Sequence, residues 1–260
     1  YPRFFDNIGV QIEVRELRDT EEFYDILKVQ EAVGFAPGVG TVAPHLFKAV
    51  AMKEPPMGMV LGAYGGGEMI GYLYEFPTSL QEEHYMHGVH VIPKCQGLGV
   101  GERMMLRMRE IALERGINVV YWTYDPLEGK NASLYIRKCG ARGVRYYKAY
   151  YKDVQGGFSD AVSNDRFLAK WELKTIGGQK PEGVLDKIPI VEGGSAPQGK
   201  EVLVEIPTDF TSLMGRDIGG ARGWRMKTSK LFDRYVTKSG YNAVNFLQFR
   251  GRNFYLLAKP

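Results

Sequence analysis

The 260-residue chain carries 34 basic and 30 acidic side chains, a formal net charge of +4, with 44% apolar and 25% charged residues. At roughly 150 residues per domain this length predicts one large domain or two unequal ones with a packed core, and it excludes wholesale disorder. No apolar run approaches the roughly 18 residues that cross a bilayer, no signal-peptide pattern opens the chain, and the two cysteines, Cys95 and Cys139, exclude a disulfide scaffold, so a soluble cytoplasmic protein is expected.

Val10–Leu17 alternates as a strand does, and Asp19-Thr20 starts a helix whose Phe23, Ile26, Leu27 and Val33 keep helical spacing. Gly34 and Pro37-Gly38 end it, and Pro44 opens a shorter helix that Pro55-Pro56 stops. Met57–Tyr64 and Glu68–Phe76, joined by Gly65-Gly66-Gly67, read as a hairpin. A strand over His84–Ile92 leads through Pro93 into Gln96-Gly97-Leu98-Gly99-Val100-Gly101. A helix with Met104, Met105, Met108, Ile111 and Ala112 on one side follows. Ile117–Tyr124 is strand-like, Asn131–Cys139 a short helix closed by Gly140, and Val144–Tyr151 and Arg166–Leu173 are two more strands.

Ile176–Lys200 reads as a linker. Beyond it come a strand (Glu201–Ile206), a helix (Asp209–Lys238) and two strands (Ala243–Phe249, Asn253–Leu257), an order that repeats the strand–helix–strand–strand ending of the first region. The charge divides at the same place. Residues 1–176 carry a net −1, residues 177–260 a net +5, and residues 209–260 a net +7. Such a basic tail fits an anion-binding module or the solvated face of a small domain.

Glycines between a strand and a helix let the backbone approach an anion at a helix N-terminus. Gln96-x-x-Gly99-x-Gly101 has that form. The pattern alone arises by chance about 0.5 times in a chain of this composition. A second match, Arg216-x-x-Gly219-x-Ala221, falls inside a helical pattern with no strand before it, and is read as a decoy.

The element order together with Gln96–Gly101 resembles the GCN5-related N-acetyltransferase (GNAT) superfamily over about residues 10–173. Asn131-Ala-Ser-Leu-Tyr-Ile-Arg-Lys-Cys-Gly140 is similar to the Asn-containing helix of that family. Trp122-Thr-Tyr-Asp-Pro126 and Ser163-Asn-Asp-Arg-Phe167 resemble a little-characterised branch of acetyltransferases with a C-terminal extension. The resemblance implies an α/β (α+β) GNAT fold with a central mixed, mostly antiparallel sheet at residues 1–176. A small C-terminal α+β extension, half-GNAT-like in its element order, follows at 177–260. It also implies that the amides of Gln96, Gly97, Leu98, Gly99, Val100 and Gly101 cradle the pyrophosphate of CoA. Val89 and Val91 would pair through their backbones with the pantetheine arm, and Asn131 joins the cofactor-binding set.

Acyl transfer from a thioester to an amine needs a base for the ammonium and an acid for the departing thiolate. His87 lies nine residues before Gln96, where GNAT relatives place a base; the alternative is a hydrogen-bonded structural histidine. Strict alternation puts His87 and Val89 on one strand face and His90 on the other, unless a bulge intervenes. His84, His87 and His90 lack a carboxylate or cysteine at ligand spacing, so no metal is expected. The family's acid is a Tyr four residues before the closing Gly, where this chain has Ile136. Tyr135 is one residue early, about 100° around an α-helix, and Tyr147, Tyr150 and Tyr151 are alternatives. Asp165-Arg166 fits an amino-acid-like acceptor or a salt-bridged strand entry. Cys95 and Cys139 are expected to be structural.

The expected function is transfer of an acyl group from acetyl-CoA, or another acyl-CoA, to a small primary amine by direct attack in a ternary complex. Succinyl-CoA with an amino acid is one alternative, and a catalytically silent GNAT-fold module using its basic tail is another. The expected partner is a small-molecule amine. A homodimer is allowed, no membrane is expected, and the tail lacks the aromatic or helix-turn-helix pattern that nucleic acid would call for.

Overall fold

The computed structural model describes residues 11–35, 40–52, 54–152, 162, 164–175, 188–191 and 199–260. They belong to two compact units, Tyr1–Tyr121 and Trp122–Pro260. Among the described residues no helix is long and apolar enough to cross a membrane.

The first unit runs β1 (Ile12–Glu16), α1 (Thr20–Ala32), α2 (Pro44–Ala51), β2 (Met59–Gly65), β3 (Glu68–Pro77), β4 (Glu83–Val91), α3 (Val100–Glu114) and the start of β5 (Val119–Tyr124). Its sheet order is β1-β2-β3-β4-β5. The pairings are antiparallel as far as β4, whereas β4 and β5 run parallel. Asp19 starts α1 through a capping box with Glu22, and Phe23, Ile26 and Val29 supply its buried face. The β2–β3 turn holds Gly66 and Gly67 at φ of 61° and 83°, which a side chain resists.

Alternation along β3 sorts the two layers. Tyr72 and Tyr74 meet Phe47 of α2 at ring separations of 6.0 and 5.1 Å. Gly71 faces α3, where a Cβ would lie 3.1 Å from Met104 Cε. The expected apolar face of α3 is the observed one: Met104, Met105, Met108, Ile111 and Ala112 are all buried.

The second unit takes up β5 and continues with α4 (Gly129–Ala132, extended by a π-helical turn over Ser133–Lys138), β6 (Arg142–Tyr147) and β7 (Arg166–Glu172). After β8 (Glu201–Ile206) come α5 (Phe210–Arg216) and α6 (Ile218–Phe232, extended by a second π-helical turn over Asp233–Lys238). β9 (Asn242–Phe249) and β10 (Arg252–Ala258) close the chain. The strand order is β5-β7-β6-β9-β10-β8. The expected division at 176/177 falls inside this unit, because β9 pairs with β6. The expected linker at 176–200 lies mostly outside the described residues. Within it, Val191 N–H donates to Leu203 O at 2.8 Å and Leu203 N–H to Pro189 O at 2.9 Å.

Two expectations about the tail change. The single helix over 209–238 is broken at Asp217, whose backbone leaves helical geometry (φ −149°, ψ 84°) and whose side chain caps α6 by accepting from Gly220 N–H at 2.8 Å. The decoy turn Arg216–Ala221 therefore does open a helix, but a carboxylate already occupies that N-terminus. Part of the positive excess is also neutralised internally. Arg225 donates twice to Asp125, at 2.9 and 2.5 Å, with side chains 6% and 17% exposed. Arg252 grips Glu205 at 2.7 and 2.6 Å.

Removing one partner of a buried ion pair leaves the other charge stranded. Arg225→Ala is expected to lower unfolding stability by about 3 kcal/mol in denaturant titration. Arg252→Ala, at a more exposed pair, is expected to cost under about 1 kcal/mol.

Candidate active site

The first unit's site is built on one extra residue in β4. Tyr74 pairs with Gly88 and Glu75 with Met86, so His87 is a bulge that no β3 residue opposes. The bulge corrects the facing expected from strict alternation. Tyr85 and His87 share a face below it, Gly88 and His90 continue that same face above it, and Val89 and Val91 point to the α3 side. The ring contacts agree: His87 lies 5.4 Å from Tyr74 and His90 lies 5.0 Å from Tyr72. Gly88 is needed there, because a Cβ on it would stand 2.4 Å from His90 Nε2.

His87 and His90 thus belong to an aromatic wall with Tyr72, Tyr74, Phe76, Tyr85 and Phe35. Packing among these rings disfavours the charged imidazoles. It pushes the His87 pKa below its ordinary value although the residue is exposed, and pushes His90 down to about 4, with the neighbouring His87 adding to the effect. His84 is separate from them. It faces the α3 side, buried, with its Nδ1 against Glu75, whose carboxyl burial holds above the usual range.

The edge of β4 opposite β3 is the second component. β4 pairs with β5 only over Glu83–Tyr85, opposite Val119–Tyr121. The bulge follows directly, and bulges bend and twist the strand that carries them. Along Val89 and Val91 the described residues pair only with β3, so the other side of this stretch offers backbone N–H and C=O groups.

That edge runs into the glycine turn. A 3₁₀ turn at Pro93–Cys95 precedes Gln96, whose Nε2 donates to Val91 O at 3.1 Å and ties the turn to the strand end. Gly97 and Gly99 have φ of 81° and 77°, and Gly99 is the N-cap of α3. The first intrahelical bond is Arg103 N–H to Gly99 O at 3.0 Å. The preceding N–H groups, from Gly99 to Glu102, have no acceptor within the helix. A Cβ on Gly97 would meet nothing within 4 Å, so the turn's outer side is open. These residues fit a pyrophosphate: an accessible left-handed turn with amides at the positive end of a 15-residue helix.

In the second unit, Tyr135 and Asn131 lie on α4. Tyr135 is buried against Trp122 and Tyr124, with ring separations of 5.0 and 5.4 Å, and burial raises its phenol pKa. The π turn alters the expectation drawn from the sequence. Cys139 N–H reaches back five residues to Leu134 O, one more than in an α-helix. A residue five before Gly140 thereby stands, relative to the helix end, where α geometry puts a residue four before it.

Asp165 and Arg166 are engaged internally. Asp165 accepts from the Tyr146 hydroxyl and from Ala149 N–H, and Arg166 Nη1 lies 3.4 Å from Asp125. This is the salt-bridged strand entry, the alternative to an acceptor site. Tyr147 and Tyr150 pack on each other at 5.4 Å. Cys139 is buried and Cys95 partly so.

The aromatic wall, not among the expectations above, has its signal in Tyr72-x-Tyr74-x-Phe76, aromatics at period two on one strand face. Two-dimensional NMR titration is expected to give His90 a midpoint near 4 and His87 one below 6.5, both neutral at pH 7. Midpoints at or above 6.5 would show that the wall does not desolvate them.

Comparison with known proteins agrees with this geometry. Residues 16–141 match the model of the Acetyltransferase (GNAT) family. A thialysine N-ε-acetyltransferase from Bos taurus is 28% identical over 106 residues, which are 40% of this chain and 59% of that protein's length. Its Sus scrofa counterpart is 27% identical over 134 residues, 50% of this chain and 75% of that protein. Among solved structures, the ribosomal-protein-S18-alanine N-acetyltransferase of Escherichia coli superposes with a TM-score of 0.51 at 13% identity, covering 66% of this chain and 99% of that one. A Salmonella typhimurium protein solved with acetyl-CoA as its cofactor gives 0.52 at 15% identity, covering 65% and 98%. Residues 16–141 of this chain are an acetyltransferase domain of the GNAT family.

Proposed function

We propose that the protein transfers an acetyl group from acetyl-CoA to the nitrogen of a small primary amine by direct attack in a ternary complex. The observation that carries this reading is the run of open β4 edge into the glycine turn at the N-terminus of α3. An extended chain of alternating amides pairs with such an edge as an added strand would, and a diphosphate suits the helix end. Bound acetyl-CoA would supply an activated acyl thioester. Val89 and Val91 would hold its arm through their backbones, and the amides of Gln96–Gly101 its pyrophosphate.

His87 is the base of this proposal. Its lowered pKa keeps the imidazole neutral, and so able to accept the ammonium proton directly or through a water, at pH values where an ordinary histidine is half charged. Phe76 and Tyr85, the partly exposed rings beside it, offer ring faces to an ammonium and apolar contact to the rest of an acceptor. No carboxylate is needed to explain the amine's approach. The bovine and porcine relatives, named for acetylation of thialysine, favour an amine acceptor and acetyl as the acyl group.

A panel of small primary amines assayed with acetyl-CoA and with succinyl-CoA tests the reading, with acetyl transfer to an amine expected. Absence of transfer from any acyl-CoA would contradict it. His87→Gln is expected to lower kcat by about 10²–10⁴-fold with CoA affinity unchanged. The acid limb of the wild-type kcat profile should fall below pH 6.5, because the rate follows the neutral form of a group whose pKa is lowered. Unchanged turnover would remove His87 from the chemistry.

A further inference from the structure

The second unit is arranged as a palindrome. In the order β5-β7-β6-β9-β10-β8, β5 matches β8, β7 matches β10, and β6 matches β9. The match reaches individual residues. β6 and β7 pair Gly143 with Ala169 and Arg145 with Leu168, skipping Val144; β9 and β10 pair Ala243 with Leu257 and Asn245 with Leu256, skipping Val244. The same irregularity thus falls at the same place in both hairpins, 100 residues apart.

The helices repeat the correspondence. Each ends in a π turn, Ser133–Lys138 and Asp233–Lys238, followed by a left-handed glycine, Gly140 at φ 79° and Gly240 at φ 71°. Ala141 N–H donates to Tyr135 O at 3.0 Å, and Tyr241 N–H to Tyr235 O at 3.0 Å. The hairpins carry equivalent ring pairs, Tyr146–Phe167 at 5.6 Å and 70°, and Phe246–Tyr255 at 5.5 Å and 63°. The two halves meet where β6 and β9 pair antiparallel at Gly143 and Ala243, and Phe167 packs on its counterpart Tyr255 at 5.4 Å. Each helix end also crosses over: the π turn of α4 contacts β9, and that of α6 contacts β6.

Two modules related by a local twofold, joined edge to edge and exchanging helix contacts, have the form of an isologous pair. We propose that residues 201–260 are a second copy of the module spanning residues 119–172, and that β9 fills in cis the β6 edge on which a second chain would otherwise dock. The copy keeps the scaffold and drops the site. Tyr235 and Gly240 match Tyr135 and Gly140, but Leu231, buried, stands where the first copy has Asn131. Besides β10, the strand-like segment described beside β8 is the Pro189–Val191 stub, which is parallel to it as β4 is parallel to β5. The tail's function on this account is to replace a partner subunit and brace the helix that carries Tyr135.

Cysteine pairing across the local axis tests this in the full chain. A Cβ on Gly143 would lie 3.0 Å from the Ala243 Cβ, so a small shift reaches the roughly 3.8 Å of a disulfide. Under mild oxidation, Gly143→Cys/Ala243→Cys is expected to form a 143–243 bond within one chain, located by non-reducing peptide mapping. Gly143→Cys alone is expected to give no 143–143 bond between chains. An interchain 143–143 disulfide, or a folded double variant that fails to form the 143–243 bond, would overturn the proposal. A measurement on the unmodified chain guards against misfolding of the variants. Amide exchange of β6 is expected to be independent of protein concentration, and protection that fades on dilution would show that another chain supplies the pairing.

Discussion

One inserted residue organises the first unit. Because His87 has no partner on β3, the side-chain alternation of β4 is reset in the middle of the strand. Without the bulge, His90 would share the α3 face with Leu73, and His87 would stand apart from it. With it, two imidazoles three residues apart line one aromatic wall, while Val89 and Val91 turn their half-buried side chains to the α3 side. The same bulge follows directly on the last residue that β4 pairs with β5. The placing of His87 on the wall and the end of β4's pairing with β5 therefore fall at one local event.

The glycine turn depends on that strand in a second way. Gln96 reaches back to the carbonyl of Val91, so the turn and the strand end are tied by a side-chain hydrogen bond. The left-handed Gly97 and Gly99 then lead directly into the first turn of α3. Backbone amides hold an anion without lysine or arginine, so the net charge of −1 on residues 1–176 does not conflict with the diphosphate site proposed at this turn. The basic excess of the tail is accordingly not required by the site. Part of it is held in ion pairs of the second unit, such as Arg225 with Asp125 and Arg252 with Glu205.

Features with a strong local signal were legible in the sequence. Asp19 followed by Glu22, the Gly65-Gly66-Gly67 turn, the Met104–Ala112 face and the strand at Glu201–Ile206 all announce themselves through caps, turn residues or period. Features that depend on pairing were not. A bulge exists only relative to the opposite strand, so His87 could be named as a base while its facing relative to His90 was assigned by a rule it breaks. The π turn at Ser133–Lys138 is likewise invisible to periodicity, so the α-helical angle between Tyr135 and Ile136 assumed from the sequence does not hold there. Asp165 and Arg166 looked available because a sequence does not show that Tyr146 and Asp125 already engage them.

On the proposed function, the β4 edge and the glycine turn form one continuous acyl-CoA site. Hydrogen–deuterium exchange with and without acetyl-CoA, resolved at single amides, tests it most directly. Acetyl-CoA is expected to slow exchange at Val89 and Val91 and at the amides of Leu98–Gly101 together, with the β1 and β2 amides unaffected. Binding that protects another surface and leaves both of these segments unchanged would contradict it.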